Sequence, residues 1–191
     1  KRKVFKEIHN NLGGNLRLIV SAAAPIDPKV GKWLEDIGIT FLQGYGLTET
    51  APISAVTTDY ETRLDSAGKT IWQADIKVDN PNAEGEGEIL IKSPTVMLGY
   101  YEDEAETKKV MTEDGYFRSG DIRYVDDEGY VYITGRSKNV IVTQNGKNIY
   151  PEEIEGLLSD YDEIKEVIVY GKEPEGKQAE RKEQQELIIT A

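Results

Sequence analysis

The chain has 191 residues, 38% of them apolar and 30% charged, which is enough for a buried core in one or two domains and ordinary for a soluble globular protein. Twenty-three basic against thirty-five acidic residues give a net charge of −12, which argues against nucleic acid and anionic membrane surfaces as partners. The absence of cysteine removes disulfides, thiolate nucleophiles and cysteine-based zinc sites together. The single histidine, His9, cannot build a histidine-rich metal site, and without a G-x-S-x-G elbow a Ser-His-Asp hydrolase is disfavoured. His9 is expected on a helix surface. No apolar run approaches the length of a bilayer span, and the opening KRKVFKEIHNN lacks the apolar core of a signal peptide. The expectation is a cytoplasmic protein with no transmembrane segment, peripheral membrane association being left open.

Residues 1–11 read as a polar helix stopped by Gly13 and Gly14, residues 16–20 as a strand, and residues 21–25, SAAAP, as a small-residue loop. Asp27 as N-cap and Pro28 at the first helical position start a helix. Val30, Trp33, Leu34 and Ile37 are expected to form its buried face, and Gly38 ends it. Residues 39–42 are a short apolar run bounded by glycines, hence a buried strand opening into the glycines that follow. A right-handed crossover makes the two strands parallel, which places loops 21–25 and 44–49 at the same sheet edge.

The octapeptide 43–50, QGYGLTET, has a glycine on each side of Tyr45 and sets the Thr48 hydroxyl beside the Glu49 carboxylate, a pairing suited to a phosphate and its counter-ion. Ligands of open parallel sheets bind where strand ends meet the following loops. Ala23, Ala24 and Pro25 can line one face of a flat ring while Tyr45 covers the other. Plainer readings stand beside these: a strand-to-helix turn with Thr48 as an ordinary N-cap, and a loop chosen only for packing.

Residues 56–135 alternate short β segments with turns: strands over 69–78, 87–92, 118–125 and 130–134, a polar turn at 80–87, a hairpin turn at 127–129, and one helix at 102–110. Asp121 follows Gly120, where a carboxylate can accept hydrogen bonds from a vicinal diol such as ribose, although Asp after Gly is commonly a turn former. After Gly135-Arg136-Ser137-Lys138 come an apolar run at 140–142 and a loop at 144–148. Pro151 then starts a helix with Glu152 and Glu153 in its first turn and Ile154, Leu157, Leu158 and Tyr161 as its expected buried stripe. Strands over 167–170 and 186–190 flank a charged loop. The chain stops within an apolar strand, so a fragment of a longer protein is expected.

Singly these motifs are weak, but SAAAP, QGYGLTET, GEILIKSPTVMLGYY, GYFRSGDI and GRSKNVIVTQNGKNIYPEEIE in this succession closely resemble the AMP-forming acyl-CoA synthetases of the adenylate-forming superfamily, most of all the long-chain fatty acid CoA ligases. The resemblance implies an α/β (α+β) fragment: residues 1–55 as the edge of a parallel nucleotide-binding sheet, 56–135 as a small antiparallel β-barrel-like subdomain, 136–138 as a hinge, and 139–191 as the start of a small lid domain. It implies that Ala23, Ala24 and Pro25 line the adenine and that Gln43, Gly44 and Tyr45 form the opposing wall. Thr48 is then the contact to the α-phosphate, Glu49 the Mg²⁺ ligand, Asp121 the ribose ligand and Arg136 a further nucleotide contact. Lys138 takes the hinge position, and Gly146 the loop glycine that lets the pantetheine arm of CoA pass.

The implied reaction joins a fatty acid or other carboxylate to CoA through an acyl-adenylate at the expense of ATP. Departures from the pattern are the lack of a Ser/Thr/Gly-rich phosphate loop before Ser21, the lack of a C-terminal lysine, and the apolar Val142 where a basic residue is common. The isolated chain is therefore expected not to adenylate fatty acids. An adenylation domain that loads a carrier protein and a non-catalytic nucleotide-binding module are the competing readings.

Overall fold

The computed structural model describes residues 3–23, 26–60, 63–142, 148–159, 161, 163–172 and 186–190. Mixed α/β structure falls into two compact units, residues 1–119 with 124–133, and residues 120–123 with 134–191.

In the first unit, helix α1 (Lys6–Asn11) leads to strand β1 (Leu18–Ala22), helix α2 (Pro28–Ile37) and strand β2 (Thr40–Tyr45). Asp27 caps α2 by accepting from Lys29 N at 2.8 Å, Pro28 opens it, and Gly38 closes it in the left-handed conformation with φ 89°. β1 and β2 pair in parallel, from Leu18↔Thr40 to Ala22↔Gly44. The core beneath them is Leu34, Ile37, Ile39 and Phe41, with Phe5, Ile8, Leu16, Ile19, Ile26 and Leu64 packed around it.

Two expectations fail here. Val30 and Trp33 are 44% and 50% exposed, because the buried face of α2 is Gly31, Leu34 and Ile37. His9 is buried rather than on the surface, its Nε2 lying 2.8 Å from the Ile37 carbonyl at the end of α2.

β2 does not end at the first glycine. It runs through Gly44 and Tyr45, which pair antiparallel with β3 (Ala55–Val56), and β3 pairs in turn with β4 (Lys69–Thr70), giving the order β1-β2-β3-β4. The return is tight: a Cβ at Gly46 would lie 1.7 Å from the Pro52 carbonyl oxygen, and one at Gly68, where φ is 102°, 2.1 Å from the Val56 carbonyl carbon.

The expected strand over 69–78 is two strands, β4 and β5 (Asp75–Asp79). β5 pairs antiparallel with β6 (Gly87–Lys92), and helix α3 (Glu104–Val110) follows, capped by Asp103 through Glu106 N at 2.9 Å. β7 (Phe117–Val125) and β8 (Val131–Arg136) complete the order β5-β6-β7-β8, each contributing residues to both units. This sheet is open rather than a closed barrel among the described residues. Arg118 ties it together by donating to Asp79 and Glu88, both at 2.8 Å.

In the second unit a 3₁₀ turn at Ser137–Asn139 precedes β9 (Ile141–Val142), which pairs antiparallel with β10 (Asn148–Ile149). Helix α4 (Pro151–Leu158) lies against β11 (Ile168–Lys172), where Glu155 Oε1 accepts from Val169 N at 2.8 Å, and β11 pairs antiparallel with β12 (Glu186–Thr190). Leu157 and Tyr161 are 71% and 59% exposed, so they do not belong to a buried stripe of α4 as expected. Among the described residues no helix is long and apolar enough to cross a membrane.

The backbone return after β2 leaves no space for a side chain at position 46. Gly46→Ala should therefore lower stability by about 3 kcal/mol, read as a shift in the urea midpoint, since the obstruction is backbone and cannot rotate away.

Candidate functional site

The first unit presents the octapeptide from the end of β2. Gln43 and Gly44 are buried, Tyr45 half-buried, Thr48 exposed and Glu49 half-buried. Thr48–Thr50 form a 3₁₀ turn closed by Thr50, whose Oγ1 accepts from Leu47 N at 3.0 Å and donates to Leu47 O at 3.1 Å. Leu47 takes the N-cap position, so Thr48 is not the N-cap but the first residue of the turn, and it is exposed. Ala51 after the turn and Ala23 after β1 both adopt left-handed backbone, φ 48° and 73°, an arrangement that costs an alanine about 1 kcal/mol.

Gln43 acts as a tie as well as a wall. Its Nε2 donates to the carbonyls of Leu64 at 2.8 Å and Ser66 at 3.3 Å, while its backbone N donates to Thr57 Oγ1 at 2.7 Å. Glu49 accepts a hydrogen bond from the Tyr100 hydroxyl at 3.1 Å through Oε1; its Oε2 accepts from no described residue. Partial burial, reinforced by that hydrogen bond, pushes the Tyr100 phenol above its ordinary value, so it keeps its proton and remains a donor. Tyr100 belongs to the stretch GEILIKSPTVMLGYY, whose sequence assigns it no role. Its partner lies 51 residues away, and no local spacing signals such a bond.

The second unit holds Asp121 on β7 and Arg136 at the end of β8. The Asp121 side chain is 6% exposed, and its Oδ1 lies 2.9 Å from Arg136 Nε; the Arg136 side chain is 53% exposed. Lys138 is exposed in the 3₁₀ turn Ser137–Asn139 and lines a cleft of about 370 Å³ with Asn139, Ile141, Glu152 and Tyr170. Thr48 and Glu49 therefore sit together in one unit, and Asp121, Arg136 and Lys138 in the other. Ala24, Pro25 and Gly146 lie outside the described residues.

The family profile described as AMP-binding enzyme matches residues 2–101, more than half of the chain and all of the site in the first unit. The chain belongs to the AMP-binding enzyme family. The chain is 34% identical over 170 residues to the long-chain-fatty-acid–CoA ligase FadD15 of Mycobacterium bovis, covering 89% of the chain and 27% of that protein. It is equally, 34%, identical over 160 residues to the 2-succinylbenzoate–CoA ligase of Listeria monocytogenes, covering 83% of the chain and 33% of that protein. Among solved structures, the o-succinylbenzoate CoA synthetase of Bacillus subtilis in complex with the acyl-adenylate intermediate OSB-AMP superimposes with a TM-score of 0.79 at 26% identity, over 96% of the chain and 39% of that one. The chain thus spans between a quarter and about a third of the length of the curated relatives it matches.

Because the Gln43 amide donates to two carbonyls in a buried position, Gln43→Glu would set a carboxylate oxygen against them. The variant should be less stable at pH 7 by about 2 kcal/mol. Its carboxyl is held above its unfolded value, so the deficit should shrink as pH falls and protonation restores a donor, and grow as pH rises. Urea midpoints at pH 5 and pH 7.5 read this out, and an equal deficit at both would contradict the assigned geometry.

Proposed function

We propose that this chain supplies the nucleotide site of an ATP-dependent carboxylate–CoA ligase. A carboxylate oxygen attacks the α-phosphorus of ATP, the bond to pyrophosphate breaks, and the CoA sulfur then displaces AMP from the acyl-adenylate to give the thioester. The carrying observation is the exposed Thr48 beside the half-buried Glu49, directly after β2 and inside the span matched by the family profile.

In this reading Thr48 donates to the α-phosphate oxygen on which negative charge builds, a contact worth most where the donor is fixed beforehand. Glu49 fits Mg²⁺: it offers a hard oxygen, Oε2, that accepts from no described residue. Mg²⁺ keeps several waters and completes its shell with substrate phosphates, so one protein carboxylate suffices. Bound there, the ion supplies charge neutralisation of the phosphates and of the leaving pyrophosphate. Tyr45 stacks on the adenine, with Gln43 and Gly44 behind it and Ala23, Ala24 and Pro25 opposite. Asp121 accepts from the ribose hydroxyls, oriented by Arg136, which also reaches the nucleotide.

Residues 1–55 and 56–135 form the nucleotide-facing part in this proposal, residues 136–138 the hinge with Lys138 as pivot, and residues 139–191 a lid whose Gly146 lets the pantetheine of CoA pass. Positioning and charge stabilisation carry the chemistry, with no covalent bond between protein and acyl group.

For the carboxylate we propose a long-chain fatty acid, supported by the GRSK and GKNIYPEEIE wording and by the likeness to FadD15. The equal likeness to 2-succinylbenzoate–CoA ligases supports that aromatic acid as a second reading. Both are tested by supplying the full-length protein with ATP, Mg²⁺, CoA and either palmitate or 2-succinylbenzoate, following pyrophosphate release and thioester formation. Palmitate is expected to be turned over, thioester to form on free CoA, and Glu49→Gln to lower kcat by about 10²-fold. Turnover of 2-succinylbenzoate alone establishes the second reading; pyrophosphate release without thioester on CoA points to a carrier-protein acceptor, and release with no carboxylate defeats the ligase assignment.

A further inference from the structure

One segment of the first unit serves the Glu49 turn at three consecutive points. It begins after β6, where Thr95 Oγ1 donates to Thr50 O at 2.8 Å. Met97 N then donates to Glu49 O at 2.8 Å, and the Tyr100 hydroxyl reaches Glu49 Oε1 at 3.1 Å. The first two bonds hold the backbone of the turn, and the third holds the side chain. Tyr100 is itself anchored from α3: its backbone N donates to Thr107 Oγ1 at 2.9 Å, and that hydroxyl donates to Asp103 O at 2.8 Å, the residue that caps the helix. Gly99 makes the approach possible, since its φ is 151° and a Cβ there would lie 2.8 Å from Thr107 Cγ2.

The neighbouring tyrosines show what is particular to Tyr100. Tyr101 is 90% exposed. Tyr116 also donates to a carboxylate, that of Asp75, but it is a core residue at 9% exposure whose ring packs whether or not the bond exists. Tyr100 is 36% exposed, so its ring is less enclosed than that of Tyr116 and its hydroxyl bond lies outside the core. Its backbone is bonded to Thr107 and Asp103 at α3, and its hydroxyl to the Glu49 carboxylate.

We propose that Tyr100 is a positioning residue for Glu49, holding Oε1 through its hydroxyl so that Oε2 is the oxygen presented to the nucleotide-bound divalent cation. The inference rests on the ligase reading above and adds a residue to it. A glutamate has three side-chain torsions to fix before it can bind a metal, and a donor already seated on one oxygen fixes them in advance. The lever runs from α3 through Thr107 and Tyr100 to Glu49, which makes the rigidity of α3 part of the metal site.

The test uses the full-length protein and calorimetry rather than turnover. ATP binding is measured across a Mg²⁺ series, and AMP binding is measured in EDTA. Tyr100→Phe should raise the Mg²⁺ concentration needed for half-maximal enhancement of ATP binding by about tenfold, the usual scale for a lost partner of a metal-binding carboxylate, and leave AMP affinity in EDTA within about twofold. Thr107→Val should act in the same direction with a smaller shift. In a Glu49→Gln background, Tyr100→Phe should add less than about twofold, because the group it positions no longer binds the ion. An unchanged Mg²⁺ dependence in Tyr100→Phe overturns the proposal, as does an equal loss of AMP affinity in EDTA, which is the mark of a structural role. A wild-type protein that binds neither nucleotide defeats the ligase reading itself, and this inference with it.

Discussion

After β2 the chain doubles back so closely that a methyl group at Gly46 would sit 1.7 Å from the Pro52 carbonyl oxygen. That approach lets β3 pair with Gly44 and Tyr45, so β2 is held by β1 on one side and by β3 on the other. Phe41 in the strand and Ile39 just before it, each 1% exposed, pin it to the core below. With its strand fixed on both edges, the turn at Thr48–Thr50 has one direction in which to project. The Gln43 ties to Leu64 and Ser66 and the segment from Thr95 to Tyr100 then secure the two ends of the octapeptide separately.

The excess of acid over base is handled differently in the scaffold and at the candidate site. In the scaffold one arginine serves two carboxylates: Arg118 bonds Asp79 and Glu88, and Arg63 bonds Asp126 and Glu128 while lying over the Tyr130 ring at 4.1 Å. Such sharing cuts the repulsion of a strongly acidic chain with few cations. At Asp121 the arrangement reverses, for the acid is the buried member and Arg136 the exposed one. A desolvated carboxylate paired with a guanidinium at 2.9 Å is a fixed acceptor.

Local chemistry made much of this legible. The Asp27 cap, Pro28, Gly38, the parallel β1–β2 pair, the helix at α3 and the strand at 186–190 follow from residue types whose preferences act within a few positions. What periodicity could not say is which apolar neighbours a helix face meets. Trp33 and Leu157 carry helical spacing and stay exposed, whereas His9, polar by composition, is buried because the Ile37 carbonyl accepts it 28 residues away. Tyr100 illustrates the same limit at the site, since a bond spanning 51 residues leaves no trace in local spacing. The octapeptide was visible because its residues are contiguous; its supports were not, because they come from separate elements.

Under the ligase reading proposed above, this division has a chemical reason. Mg²⁺ dehydrates reluctantly and takes few protein ligands, so a site built for it together with substrate phosphates cannot gain precision by adding carboxylates. Precision has to come from holding one carboxylate well. Glu49 is bonded at its backbone carbonyl by Met97 and at its side chain by Tyr100, and the next carbonyl, that of Thr50, is bonded by Thr95. Three donors converge on two adjacent residues of a turn that Thr50 already closes through Leu47. Together they hold the orientation of one carboxylate, which is the quantity the proposed single-ligand metal site must control.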